Sequence, residues 1–277
     1  MTQNMNTSNL NNNYSRVAER FSLAGRRALV TGGSLSIGRA IVLAFADAGA
    51  DLAVQYDANA DSALSNKDAA GALVEELKER GTKHCLIQSD FMEPDSGTYT
   101  VREAEHQLGG VDVLVLCASV QKREPFVEIS TYELTRQRRI NFDASVELLM
   151  AVIPGMKVRG WGRILTIGSI NQTKPESDLA IYASLKSAQH NLSINLAKDL
   201  APFGVTVNNL APGLIATARN SWRRVDAQKW KGIQEECCPM KRAGIPEEMA
   251  GAALMLCSNA GSYITGADLQ ATGGAHL

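Results

Sequence analysis

Tyr182 and Lys186 stand four residues apart within the apolar-periodic stretch Ile181 to Leu200. That spacing stacks a phenol and an ammonium on one helix face, one turn apart. Ser169 comes thirteen residues before Tyr182, just past the strand pattern RILTIG (Arg163 to Gly168), and Asn141 falls inside the long helix pattern Tyr132 to Val158. A phenol beside an ammonium is a proton-transfer unit. A free phenol ionises near pKa ~10, so work near neutral pH requires roughly 4 kcal/mol of preferential phenolate stabilisation. One exposed ion pair supplies only about 0–1 kcal/mol, so the site must be closed and must add a second positive charge.

The amino-terminal part carries a matching signal. The strand pattern RALVT (Arg27 to Thr31) runs into TGGSLSIG (Thr31 to Gly38) and then a helix pattern, Ile37 to Ala48. Strand, glycine turn and helix in that order offer free N–H groups and a positive helix end to a pyrophosphate. The second strand pattern ends at Tyr56-Asp57, where dinucleotide folds read the adenosine ribose. A carboxylate there accepts from both ribose hydroxyls and repels a 2′-phosphate. A nicotinamide dinucleotide would bring the second positive charge. Hydride leaves a secondary alcohol carbon only as its hydroxyl proton is removed, so the two signals together predict hydride exchange between alcohol and ketone.

These groups need a scaffold, and the chain describes one. Strand patterns at RALVT, DLAVQY (Asp51 to Tyr56), HCLIQ (His84 to Gln88), VDVLVLC (Val111 to Cys117), RILTIG, VTVNNL (Val205 to Leu210) and ADLQA (Ala267 to Ala271) alternate with helix patterns. Besides those already named, the clearest helices are Ala69 to Arg80 and Pro246 to Cys257. Such alternation predicts an α/β, doubly wound Rossmann fold, a seven-stranded parallel sheet with helices on both faces. Without a linker or repeat in the series, residues 23–277 read as a single catalytic domain, preceded by an Asn-rich flexible extension over 1–22. Thr217 to Cys238, with Trp222 and Trp230, reads either as a substrate lid or as a surface helix pair.

Bulk properties narrow the partners. The 277 residues are 45% hydrophobic with a formal charge of -1, which gives no field for nucleic acid or anionic lipid. A small-molecule substrate fits better. No run approaches ~18 apolar residues, so no membrane span is expected. Five cysteines, an odd number without C-x-x-C spacing, read as buried thiols of a cytoplasmic protein. Four scattered histidines give no metal-ligand spacing, and no metal is expected.

The T-G-x-x-x-G-x-G turn, YASLK (Tyr182 to Lys186), Ser169 and Asn141 together resemble the classical short-chain dehydrogenase/reductase family, and the likeness runs on to the carboxyl terminus. The resemblance implies that Tyr182 exchanges the proton, Ser169 hydrogen-bonds the substrate oxygen, Lys186 also grips the nicotinamide ribose, and Asn141 positions a water in the proton relay. It places Gly32, Ser34, Ser36, Ile37 and Gly38 around the pyrophosphate, and Tyr56, Asp57, Asp90 and Phe91 around the adenosine. Ala118, Ser119, Pro212, Gly213, Ile215 and Thr217, with Tyr182 and Lys186, complete the cofactor set. It also implies a homo-oligomer, a tetramer or dimer, paired through the long helices.

Two departures stand out. Ser36 replaces the family's middle glycine, and Leu116-Cys117-Ala118-Ser119 replaces its N-N-A-G, whose strand-holding contacts must then come from apolar packing. Ser34 and Leu35 occupy positions where NADP users often carry Lys or Arg, so NAD is favoured, although Lys67 can still reach a phosphate. For the substrate, Gln121 to Phe126 has the form Q-x-R-x-P-F, which resembles gluconate 5-dehydrogenase and other sugar-acid members. Arg123, Asn171, Gln172, Arg219 and Asn220 are the expected contacts to a sugar, polyol or sugar acid. The alternatives are a 3-oxoacyl reductase, a hydroxysteroid-type dehydrogenase, or a non-catalytic dinucleotide-binding protein.

Overall fold

The computed structural model describes residues 16–64 and 66–277. Most of the expected extension, 1–15, lies outside the described residues; 16–20 are helical and Leu23 is buried. In chain order the main elements are β1 (Arg27–Thr31), α1 (Ser36–Asp47), β2 (Asp51–Tyr56), α2 (Ala58–Ala63), α3 (Ala69–Glu79), β3 (His84–Gln88), α4 (Ser96–Leu108) and β4 (Val113–Leu116). They continue with α5 (Thr131–Arg138), α6 (Ala144–Arg159), β5 (Gly162–Ile167), α7 (Ala180–Leu200), β6 (Val205–Pro212), α8 (Ala227–Cys237), α9 (Pro246–Cys257) and β7 (Asp268–Ala271).

The strands form one seven-stranded sheet in the order β3-β2-β1-β4-β5-β6-β7, and every pairing is parallel. Parallel strands covered on both faces are rich in apolar residues; β4 is apolar and buried along its whole length, and β6, buried as fully, also carries Thr206, Asn208 and Asn209. The period of two sorts their residues. Ala28, Val30, Val113 and Val115 face α1 and α9, packing with Ile41, Phe45, Met249 and Ala253. Leu29, Leu114 and Leu116 face the other way, toward Val101 of α4, Leu148 and Val152 of α6, and Ala197 of α7. The strand order reverses between β1 and β4, so a crevice opens beyond their carboxyl ends.

Four elements differ from expectation, the first being α2, a six-residue helix in the connection after β2. α4 was not singled out, because its buried stripe is only Val101, Ala104 and Leu108 among polar neighbours, and Tyr99 is exposed. The expected long helix runs continuously but widens midway: a π turn, Arg139–Asp143, joins α5 to α6. The irregular stretch after β6 folds into a 3-10 segment, Ala218–Arg224, and α8. Among the described residues, no helix is long and apolar enough to cross a membrane, and no cluster of three or more His, Cys, Asp or Glu could hold a metal. All five cysteines are free, yet only Cys238 and Cys257 are buried, and Cys237 is exposed. Burial pushes the Cys257 thiol up to about 12.

Candidate active site

The glycine turn is built by close approach. At Gly32, φ is +61° and an added Cβ would lie 2.9 Å from the Ala118 Cα. At Gly38 it would lie 2.1 Å from the Gly32 carbonyl oxygen, so the start of α1 rests on the turn that precedes it. Ser36 has φ 52°, a left-handed conformation that costs a side-chain-bearing residue about 1–2 kcal/mol. Its Oγ accepts from the Ala218 N–H at 3.2 Å.

The lost N-N-A-G contacts are replaced by a hydroxyl, and not by apolar packing alone. Thr31 Oγ1 accepts from the backbone N–H groups of Cys117 (3.0 Å) and Ala118 (3.1 Å) and donates to the Val115 carbonyl at 3.3 Å. Gln55, unnoticed in the sequence, ties three strand ends together: its Oε1 accepts from Gly32 N at 2.9 Å and its Nε2 donates to Ser89 O at 2.7 Å. An amide in mid-strand gives no periodic signal.

These turns enclose a cleft of about 890 Å³, within the range of cofactor pockets. Gly32, Ser34, Ser36, Ile37 and Gly38 line its first part, and Asp57, Asp90 and Phe91 the part beyond the ends of β2 and β3. Ala118, Ser119, Pro212, Gly213, Ile215 and Thr217 line the other end with Ser169 and Tyr182. Tyr56 is not brought in: its hydroxyl turns outward to Gln88 Oε1 at 3.3 Å. Asp57 caps α2, accepting from Asn59 N at 2.9 Å. One turn later Asp61, which the sequence did not flag, reaches back into the cleft and accepts from Ser34 Oγ at 2.9 Å. Burial raises the Asp61 carboxyl above its ordinary value, against the opposing Ser34 bond, and the nearby Asp57 charge adds to the rise.

At the chemical end, Tyr182 and Lys186 are both buried. Among the described residues the Tyr182 hydroxyl takes no hydrogen bond, and it faces the cleft from the first turns of α7. Lys186 sits behind it, with Nζ 5.9 Å from the Tyr182 ring centre. That ammonium donates to the Ile167 carbonyl at 2.7 Å and to Gln189 Oε1 at 3.2 Å. Burial lowers its pKa below that of an ordinary lysine, and the Tyr182 side chain opposes the drop. Ser169 ends β5 and opens a short 3-10 turn, where its Oγ donates to Asn171 Oδ1 at 3.0 Å and accepts from Asn171 N at 3.2 Å.

Asn141 is fully buried in the π turn and its amide is committed. It accepts from Val120 N at 2.9 Å and donates to Val120 O at 2.8 Å, so its side chain clamps the cleft wall. π turns recur at functional sites. Gln172 also points away from the cleft. Its Nε2 donates to Asp268 Oδ2 at 2.9 Å, and its Oε1 accepts from Ser169 N and Asn209 Nδ2, both at 3.3 Å.

The expected substrate cations are mostly spoken for. Arg123 lines the cleft but pairs with Glu176 (2.6 Å) and Asp178 (2.9 Å), and its guanidinium holds the Glu176 carboxyl below the usual range. Arg219 donates to the carbonyl oxygen and Oγ of Ser119. Asn220 braces its own segment, donating to Ile215 O at 2.6 Å and accepting from Thr217 N at 3.1 Å. Lys122 pairs with Glu124 and Lys174 donates to Ala275 O. Arg223, stacked 5.1 Å from the Trp222 ring centre, is the cleft cation that has neither an ion pair nor a hydrogen bond among the described residues.

Residues 32–276 match the family model described as enoyl-(acyl carrier protein) reductase. The chain belongs to the classical short-chain dehydrogenase/reductase family. It is 32% identical over 257 residues to the 7alpha-hydroxysteroid dehydrogenase of Escherichia coli K12, covering 93% of this chain and 96% of that protein. The crystal structure of a 3-oxoacyl (acyl-carrier-protein) reductase from Agrobacterium tumefaciens C58 with NADP bound superposes with a TM-score of 0.88 at 37% identity, covering 94% of this chain and 98% of that one. A structure from Beutenbergia cavernae assigned as an NAD(P) dependent gluconate 5-dehydrogenase, with NADP at low occupancy, gives 0.84 at 33% identity over 92% of this chain and 98% of that one. As a family member, this chain is an NAD(P)-dependent oxidoreductase with a Rossmann-like fold.

Proposed function

We propose that this short-chain dehydrogenase/reductase interconverts a secondary alcohol and a ketone on a sugar, polyol or sugar acid, with NAD preferred to NADP. The observation that carries the reading is the hydroxyl of the buried Tyr182, open to the cleft and without a protein partner among the described residues, in front of an ammonium held by two acceptors. The cofactor fits the chain's own geometry. Gly32 and Gly38 stand where any Cβ would block the turn, and the first N–H groups of α1 open onto the cleft.

A nicotinamide dinucleotide held by the glycine turn would supply the hydride acceptor or donor. Tyr182 takes the alcohol proton on oxidation and returns it on reduction. Lys186, fixed by Ile167 and Gln189, stabilises the phenolate and grips the nicotinamide ribose. Ser169 gives its proton to the substrate oxygen in place of Asn171 Oδ1. Asn141 contributes by holding Val120, and thereby the wall that faces the reacting carbon.

Gln121 and Glu236 line the cleft and suit substrate hydroxyl groups, Asn171 Oδ1 becomes free when Ser169 turns to the substrate, and Arg223, without an ion pair or hydrogen bond among the described residues, suits a terminal carboxylate. The likeness to a gluconate 5-dehydrogenase supports the same class. For the cofactor, Asp57 and Asp61 both face the cleft beside Ser34, and like charges set against a 2′-phosphate cost several kcal/mol. The expected result is NAD turnover at least about tenfold above NADP in kcat/KM, narrowing in Asp57→Asn and Asp61→Asn. The assay follows reduced nicotinamide across sugar acids, polyols, acyl thioesters and hydroxysteroids. Turnover confined to the thioesters or steroids, or an NADP preference in wild type, overturns the corresponding half of the reading. Binding of nucleotide without turnover of any substrate would leave a non-catalytic binding protein.

The free thiols support a reducing, cytoplasmic setting. Tyr132, Met150 and Val158 stand exposed on α5 and α6, and Ile194 on α7, which supports a homodimer or homotetramer paired through these helices. Light scattering is expected to give two or four times the chain mass. A monomer at working concentration would refute it.

A further inference from the structure

Ser36 sits where the family turn has glycine, and it is the residue through which the phosphate turn meets the segment after β6. Its Oγ accepts from the N–H of Ala218, 182 residues later in the chain. Ala218 opens the 3-10 segment Ala218–Arg224. The next residue, Arg219, crosses to the Ser119 carbonyl and hydroxyl, just beyond β4. The first two residues of this segment are therefore stitched to both walls of the cleft, to the start of α1 on one side and to the stretch just beyond β4 on the other. Farther along, Trp222 and Arg223 line the substrate end.

A hydroxyl that accepts one hydrogen bond still has its own proton to donate. Ser36 is the first residue of α1, where free N–H groups and the helix dipole favour an anion. A hydroxyl that donates to a phosphate oxygen becomes a better acceptor, because hydrogen bonds in a chain polarise one another. The left-handed backbone at Ser36 also aims its side chain at Ala218, so a strained conformation is coupled to a specific bond.

We propose that the Ser36 hydroxyl is a positioning group that transmits dinucleotide occupancy to the Ala218–Arg224 segment: pyrophosphate orients it, and it in turn holds the Ala218 N–H and the residues that carry Trp222 and Arg223 to the cleft. The proposal rests on the reading of the cleft as a nicotinamide dinucleotide site. It deepens that reading by naming the atom that couples cofactor to substrate pocket.

Amide hydrogen exchange of the full chain, with and without saturating NAD, tests it. In wild type NAD slows exchange across Ala218–Arg224, and in Ser36→Ala the slowing falls by about fivefold, the worth of one hydrogen bond. Ser36→Ala keeps the Cβ and the backbone conformation and deletes only the hydroxyl. Ser36→Gly relieves the conformation as well, and it is expected to lose the same protection while melting no lower than Ser36→Ala. The alcohol KM is expected to rise by more than kcat falls in both variants. Wild-type protection in either variant, measured with NAD bound, overturns the proposal alone. Failure of wild type to bind NAD or NADP, read by calorimetry, sinks the dinucleotide reading on which it stands.

Discussion

Tyr182→Phe is expected to lower kcat/KM for the best secondary alcohol by about 10²–10⁴-fold, the range of a positioned acid–base group. Phenylalanine fills the same buried space between the cleft and the Lys186 ammonium. Because the Tyr182 hydroxyl has no protein partner among the described residues, its removal strands no donor or acceptor. Unfolding free energy should change by less than about 1 kcal/mol, and the affinity for NAD should hold. Initial rates and urea unfolding of the same preparation check both halves. Equal activity in wild type and Tyr182→Phe would mean that another group moves the proton.

Lys186→Met is the second large effect. Methionine matches the length of the buried stem, but no ammonium remains to donate to Ile167 O and Gln189 Oε1. Charge placed against a developing anion in a water-poor site is worth about 10²–10³ in rate, so kcat is expected to fall by that factor. The deficit should be greatest near neutral pH and shrink toward pH ~10, where a phenol ionises unaided. A KM increase for NAD should accompany it, since the same ammonium is assigned to the nicotinamide ribose. A pH-independent deficit would show that Lys186 acts through packing and not through its charge.

These two experiments probe residues that local pattern made visible. Tyr182 and Lys186 share a helix face because they are four apart, and Gly32 and Gly38 bracket a turn that follows a strand. Strand alternation placed all seven strands close to their observed bounds, because parallel strands buried on both faces are mostly apolar, with Gln55, Asn208 and Asn209 as buried polar exceptions. Helices with weak stripes escaped notice: α4 buries only a few side chains, and α8 buries none fully. The π turn escaped as well, since one widened turn leaves the surrounding periodicity nearly intact.

The sequence by itself determined the layered α/β architecture, the dinucleotide turn and the phenol–ammonium pair, all consequences of spacings within a few residues. Only the tertiary structure decided which polar groups were free to act. Arg123 met Glu176 and Asp178 across more than fifty residues, Asn141 closed on Val120, Gln172 turned to Asp268, and Ser36 found Ala218. Asp61 entered the cleft because α2 folds back onto Ser34. The reason is physical: a side chain's type fixes what it can bond, but its partner is fixed by packing between distant segments, and a charge already paired is no longer available to a ligand.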